Sequence, residues 1–121
     1  MEVGLYIKWG KPVPGREEWA TDLLNEAIDY FGEKRRTGWI TYFEPFCFQT
    51  SDREVENGFF VVKGPVTEIF KMLEDETFLY LQEKAFYTVD HWTVDYLTVG
   101  EGVTKQLARS AKVRADLGIA H

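Results

Sequence analysis

The apolar positions of the chain follow two periods that alternate along its length. Val3, Leu5, Ile7 and Trp9 recur at every second residue, with Gly4, Tyr6 and Lys8 between them, so Val3–Gly10 reads as a strand. Gly10-Lys11-Pro12-Val13-Pro14-Gly15 ends it. From Arg16 the spacing changes to three and four, and Trp19, Leu23, Leu24, Ala27, Ile28 and Phe31 form one helical stripe. Glu17 and Glu18 at its start and Lys34, Arg35 and Arg36 at its end suit the helix dipole. Gly38, or Gly32 earlier, is expected to stop it. Alternation returns over Trp39–Gln49 and Gly58–Gly64, around the polar loop Thr50–Asn57. Asn57-Gly58 is a turn signal. Pro45 cannot donate to a ladder and places the second strand at a sheet edge.

Gly64-Pro65 opens a second helical stretch with Val66, Ile69, Phe70 and Leu73 on one face. Glu74-Asp75-Glu76-Thr77 interrupts it, and Asp75 or Thr77 could cap a further segment containing Phe78, Leu79, Ala85 and Phe86. His91–Gly100 alternates as a fourth strand. Glu101–Gly118 reads as a last helix whose narrow stripe (Val103, Leu107, Ala111, Leu117) is expected to dock on a neighbouring surface. The order strand, helix, strand, strand, helix, strand is the ferredoxin-like α+β arrangement, βαββαβ. It implies one antiparallel four-stranded sheet with the helices on one face. At 121 residues the chain is expected to hold one such domain over residues 1–100, with a C-terminal helical tail over 101–121.

That arrangement leaves one sheet face without helices. If Leu5, Ile7 and Trp9 face the helices, Tyr6 and Lys8 face the open side. The same alternation sends out Phe59, Val61 and Lys63, and His91, Thr93, Asp95 and Leu97. The second strand is aromatic on both sides, and alternation does not settle which side faces which layer. Aromatic residues make up 16% of the chain, more than the helix-facing layer needs. A face carrying Tyr6, Phe59, Val61 and Leu97 is too apolar to stay in water.

Two covers fit such a face. One is nucleic acid stacked on the rings. Leu5-Tyr6-Ile7-Lys8 and Gly58-Phe59-Phe60-Val61-Val62 resemble the two ribonucleoprotein motifs of an RNA recognition module. However, Asn57 stands where a basic residue is expected, Phe60 where a small one is, and Val61 where the second stacking ring is. The net charge of −6 and the pI of about 4.9 oppose binding to a phosphate backbone or to an anionic membrane. No nucleic acid or membrane partner is expected. The start of the chain shows no leader pattern and no apolar run approaches the length of a membrane span, so a cytoplasmic location is expected.

The other cover is a second copy, two sheets closing face to face into a barrel. The chain resembles the dimeric α+β barrel superfamily over Val3–Gly100. The resemblance is most specific in Phe70-Lys71-Met72-Leu73-Glu74-Asp75-Glu76-Thr77-Phe78, followed by Val89-Asp90-His91-Trp92-Thr93-Val94. It extends to antibiotic-biosynthesis-type monooxygenases. The resemblance implies a homodimer, an apolar or aromatic small molecule in the barrel, and cofactor-independent monooxygenase or isomerase chemistry. A non-catalytic homodimer built the same way is the alternative, because fold does not assign function.

His91, with a reference pKa near neutrality, is the candidate general base or acid, and Tyr6 its catalytic neighbour. Lys8, Trp39, Tyr42, Phe59, Lys63 and Asp95 are the candidate substrate-binding residues, with Glu44 beside them. Asp95 is about 13 Å along the strand from His91, too far to orient it. His91 at the strand entrance, doing no chemistry, is the plain alternative, as are Lys8 and Lys63 paired with acids at the barrel ends. Haem-degrading relatives use an Asn on the first strand. Asn25 and Asn57 do not match that place. Two histidines, one of them the terminal His121, give no metal-ligand spacing, so no metal or cofactor is expected. The single cysteine, Cys47, reads as a small buried hydrophobe.

Overall fold

The computed structural model describes residues 1–49 and 53–119. Thr50 of the expected polar loop and the terminal His121 lie outside the described residues. The elements follow one another as β1 (Glu2–Trp9), α1 (Glu17–Arg36), β2 (Tyr42–Cys47), β3 (Gly58–Pro65), α2 (Val66–Leu73), α3 (Glu76–Thr88), β4 (Thr93–Thr98) and α4 (Glu101–Asp116). The four strands form one sheet in the order β2-β3-β1-β4. All three pairings are antiparallel. This is the ferredoxin-like α+β arrangement, with β2 and β4 at the edges, as Pro45 required of β2.

The helices cover one sheet face. Val3, Leu5, Ile7 and Trp9 of β1 and Phe60 and Val62 of β3 are buried against them. Phe31 of α1 ties the layers together. Its ring centroid lies 5.1 Å from Phe43, 5.7 Å from Phe60 and 6.3 Å from Phe78. One ring therefore contacts β2, β3 and α3. The second strand is shorter than its aromatic run implied, because Trp39 and Ile40 belong to the connection from α1. Gly38 ends that helix with φ 86, and Gly32 lies inside it. Gly58 is not a turn residue. It opens β3 opposite Trp9, and a Cβ there would stand 2.5 Å from the indole.

The acidic interruption divides the second helical stretch into α2 and α3. Asp75 occupies the N-cap position of α3 without making the side-chain cap. Its carboxylate accepts instead from the Tyr30 hydroxyl at 2.7 Å and lies 3.7 Å from Lys34 Nζ. The break thus anchors α1. Helix α4 is exposed along nearly its whole length, with only Gly102 buried.

One correction concerns a single residue. Cys47 is exposed, not buried. It sits at the end of an edge strand, with β3 beside it on one side only. Tyr96 lies on the helix side but is 51% exposed, stacked on Phe70 at 5.6 Å.

Burial, then the hydrogen bond to Asp75, pushes the Tyr30 hydroxyl well above the ordinary tyrosine value of 10.0. The folded chain therefore keeps this proton longer than the unfolded chain does. Its contribution is complete below pH 10.0 and falls as pH rises beyond it. Tyr30→Phe should cost about 1 kcal/mol at neutral pH and flatten the alkaline loss, as read by urea denaturation at both pH values. Cys47 should react with Ellman's reagent in native buffer, without denaturant. A thiol that titrates only after unfolding would contradict its placement.

Candidate functional site

The sheet register sorts the helix-free face into three rows. Tyr42, Lys63, Gly4 and Leu97 form the first. Glu44, Val61, Tyr6 and Asp95 form the second, and Phe46, Phe59, Lys8 and Thr93 the third. The facing of β2 is settled by Phe43, whose ring joins the core. Its neighbours Tyr42, Glu44 and Phe46 therefore look outward.

The rings on this face form one continuous patch. Tyr6 and Phe59 are 5.0 Å apart, and Phe46 stacks on Phe59 at 4.7 Å. Phe48 extends the patch at 5.8 Å from Phe59, and the Arg53 guanidinium lies 3.8 Å from the Phe48 centroid. Contacts of this kind add about 0.5–1.5 kcal/mol each beyond simple burial, and they join the rings into one floor. Gly4 leaves the first row low. A Cβ there would meet Val99 at 3.2 Å and Leu97 at 3.3 Å.

Charged groups rim this floor. Lys63 Nζ stands 4.4 Å over the Tyr42 ring, and the Tyr42 hydroxyl donates to Glu44 Oε1 at 2.9 Å. That hydrogen bond, with burial second, raises the Tyr42 hydroxyl above its ordinary value. Tyr6 and Asp95 are direct cross-strand partners. Such partners have Cβ atoms about 4.5–5.5 Å apart, and the Tyr6 ring leans from there toward Phe59. Lys8 occupies the next position outward on β1, opposite Thr93.

Six of the eight candidate residues thus share this face: Tyr6, Lys8, Tyr42, Phe59, Lys63 and Asp95. Two do not. His91 precedes β4 in a bend, exposed, with φ 57. Histidine is among the residues that tolerate this left-handed region. The backbone there is turned by the bond from Gly10 N to Asp90 O at 2.6 Å. The strand alternation that aimed His91 at the open face therefore stops at Thr93. Trp39 lies in the α1–β2 connection on the helix side. Lys34 Nζ stands 3.6 Å and Lys71 Nζ 4.6 Å from its ring. Phe46 and Arg53 belong to the patch and were not among the candidates. The doubly aromatic second strand hid the first, and no local pattern points to the second. Among the described residues no group of three or more His, Cys, Asp or Glu could hold a metal ion.

No protein-family model matches the chain, and no curated protein matches it. Solved structures do. A dimeric protein of unknown function and ferredoxin-like fold from Bacteroides fragilis superposes with a TM-score of 0.59 at 8% identity, over 78% of this chain and 93% of that one. SnoaB, a cofactor-independent oxygenase from Streptomyces nogalater, superposes with a TM-score of 0.59 at 12% identity, over 81% and 92%. By fold this chain is therefore a ferredoxin-like α+β protein, and the resemblance read from its sequence is borne out at that level.

Proposed function

We propose that two copies of the chain close their helix-free faces on one another and enclose a small apolar or aromatic molecule. The observation that carries this reading is the unbroken, half-buried ring patch Phe46–Phe59–Tyr6, which lies on the sheet face opposite α1, α2 and α3. The dimeric Bacteroides neighbour supports the pairing, and the oxygenase neighbour supports a reactive cavity. The acidic pI of about 4.9 sets nucleic acid aside as the cover. In this reading the protein works in the cytoplasm.

The chemistry that these side chains can perform is proton transfer. Asp95 is the acceptor, in place of His91. Tyr6 beside it donates to a developing oxyanion, and Lys8 and Lys63 hold the negative charge. Removing a proton from a phenol or enol gives an anion in which the ring patch can orient the carbon that reacts next. Oxygenation without a cofactor can begin with that step, and isomerisation of a ketone begins with loss of the proton from the carbon beside its carbonyl, which gives the same kind of oxyanion.

Oxygen uptake and product formation with a panel of phenols and enolisable ketones test the reading. Turnover with one of them, lowered about a hundredfold or more in Asp95→Asn with dimer mass unchanged, is the expected result. Turnover that Asp95→Asn leaves intact would remove Asp95 from the chemistry. No turnover and no binding across the panel would leave the rings the sole task of closing a non-catalytic dimer.

A further inference from the structure

The outer surface of the helix layer carries a second cluster, on the opposite side of the sheet from the open face. Helices α1 and α3 run antiparallel there. Arg16 at the start of α1 donates to the Tyr87 carbonyl at 2.7 Å, and Lys84 reaches Glu26 at 2.9 Å. Between them lies a cleft of about 440 Å³ lined by Trp19, Asp22, Glu26, Tyr80, Glu83 and Tyr87, among others. One helix brings a ring and two carboxylates and the other two rings and one carboxylate, each set at spacings of three and four. Trp19, Asp22 and Glu26 come from one helix, and Tyr80, Glu83 and Tyr87 from the other.

Trp19, Tyr80 and Tyr87 are 62%, 62% and 65% exposed. Their spacing places them around the cleft, not under it. The cleft also displays its own preference in charge. Lys84 Nζ lies 5.0 Å from the Tyr80 centroid and donates to both Glu26 oxygens, at 3.1 and 2.9 Å. An ammonium is thus already held between a ring and a carboxylate. Asp22 and Glu83 add two carboxylates, so the lining has three acids and one base. Anions are repelled from such a lining. A compact inorganic cation keeps its hydration shell and gains little from the rings. An alkylated ammonium is weakly hydrated and gains from both.

We propose that this cleft binds a small organic cation with alkyl groups on its charged nitrogen, seated between Trp19 and Tyr87 and neutralised by Asp22 and Glu83. The volume lies within the range of small-molecule sites, which favours a free ligand over a protein segment. The inference does not rest on the dimer or on the chemistry of the open face.

Equilibrium dialysis of radiolabelled choline against the full chain tests it. The comparison ligand is the neutral analogue with carbon in place of the quaternary nitrogen. Saturable choline binding is expected, with the neutral analogue at background. Trp19→Ala and Glu83→Gln should each weaken it about threefold to fivefold, and added salt should weaken it further. All the altered side chains are exposed, and circular dichroism checks that each variant folds. If Trp19→Ala fails to fold, Asp22→Asn takes its place. Equal binding of the neutral analogue, or choline binding untouched in both variants, would overturn the proposal. So would absent choline binding, and a change of oligomeric mass in Trp19→Ala beside that absence would give the cleft to a second copy.

Discussion

A sheet covered by helices on one face has to do something with the other, and this chain makes that face aromatic. Tyr6, Phe46, Phe48 and Phe59 lie in contact across three strands and the adjoining loop. Taking a large apolar side chain out of water contributes about 1.5–3 kcal/mol, whereas an exposed ion pair contributes about 0–1 kcal/mol. The surface ion pairs, such as Lys105–Glu101 and Lys112–Asp116, are therefore minor beside the demand of the bare face. Any site built on that face would have an aromatic floor with Lys8, Lys63, Glu44 and Asp95 at its rim.

The helix side shows how the sequence keeps the opposite face free. Phe31 joins α1 to β2, β3 and α3, and the Tyr30–Asp75–Lys34 cluster anchors the break between α2 and α3. With the helices held there, no described helix other than α4 is left to lie over the open face, and α4 is itself almost wholly exposed. Among the described residues no helix is long and apolar enough to cross a membrane.

Alternation identified the outward residues of β1, because Val3, Leu5, Ile7 and Trp9 leave one possible parity, and on β3 it sent Phe59 and Val61 out together with the charged Lys63. Where both parities are aromatic, as on β2, it was silent, and Phe46 was missed for that reason. His91 failed for a different one. Periodicity assumes an extended backbone, and a left-handed residue before β4 breaks the phase. Trp39 was read as strand because it opens a run of ring-bearing residues, yet it lies in the α1–β2 connection, packed against the core with two lysines over its ring. Cys47 was judged by residue type, whereas its burial depends on the missing neighbour of an edge strand. The pairing of Tyr6 with Asp95 is a fact of register, and one strand read alone cannot show which residue lies opposite.

Sedimentation equilibrium of the native chain beside its Phe59→Asp variant is the most direct measurement of the central claim. A native species of twice the 14.1 kDa chain mass, reduced to a single chain by one carboxylate in the ring patch, is the predicted result. A native protein that sediments at 14.1 kDa, with its aromatic face in water, would contradict it.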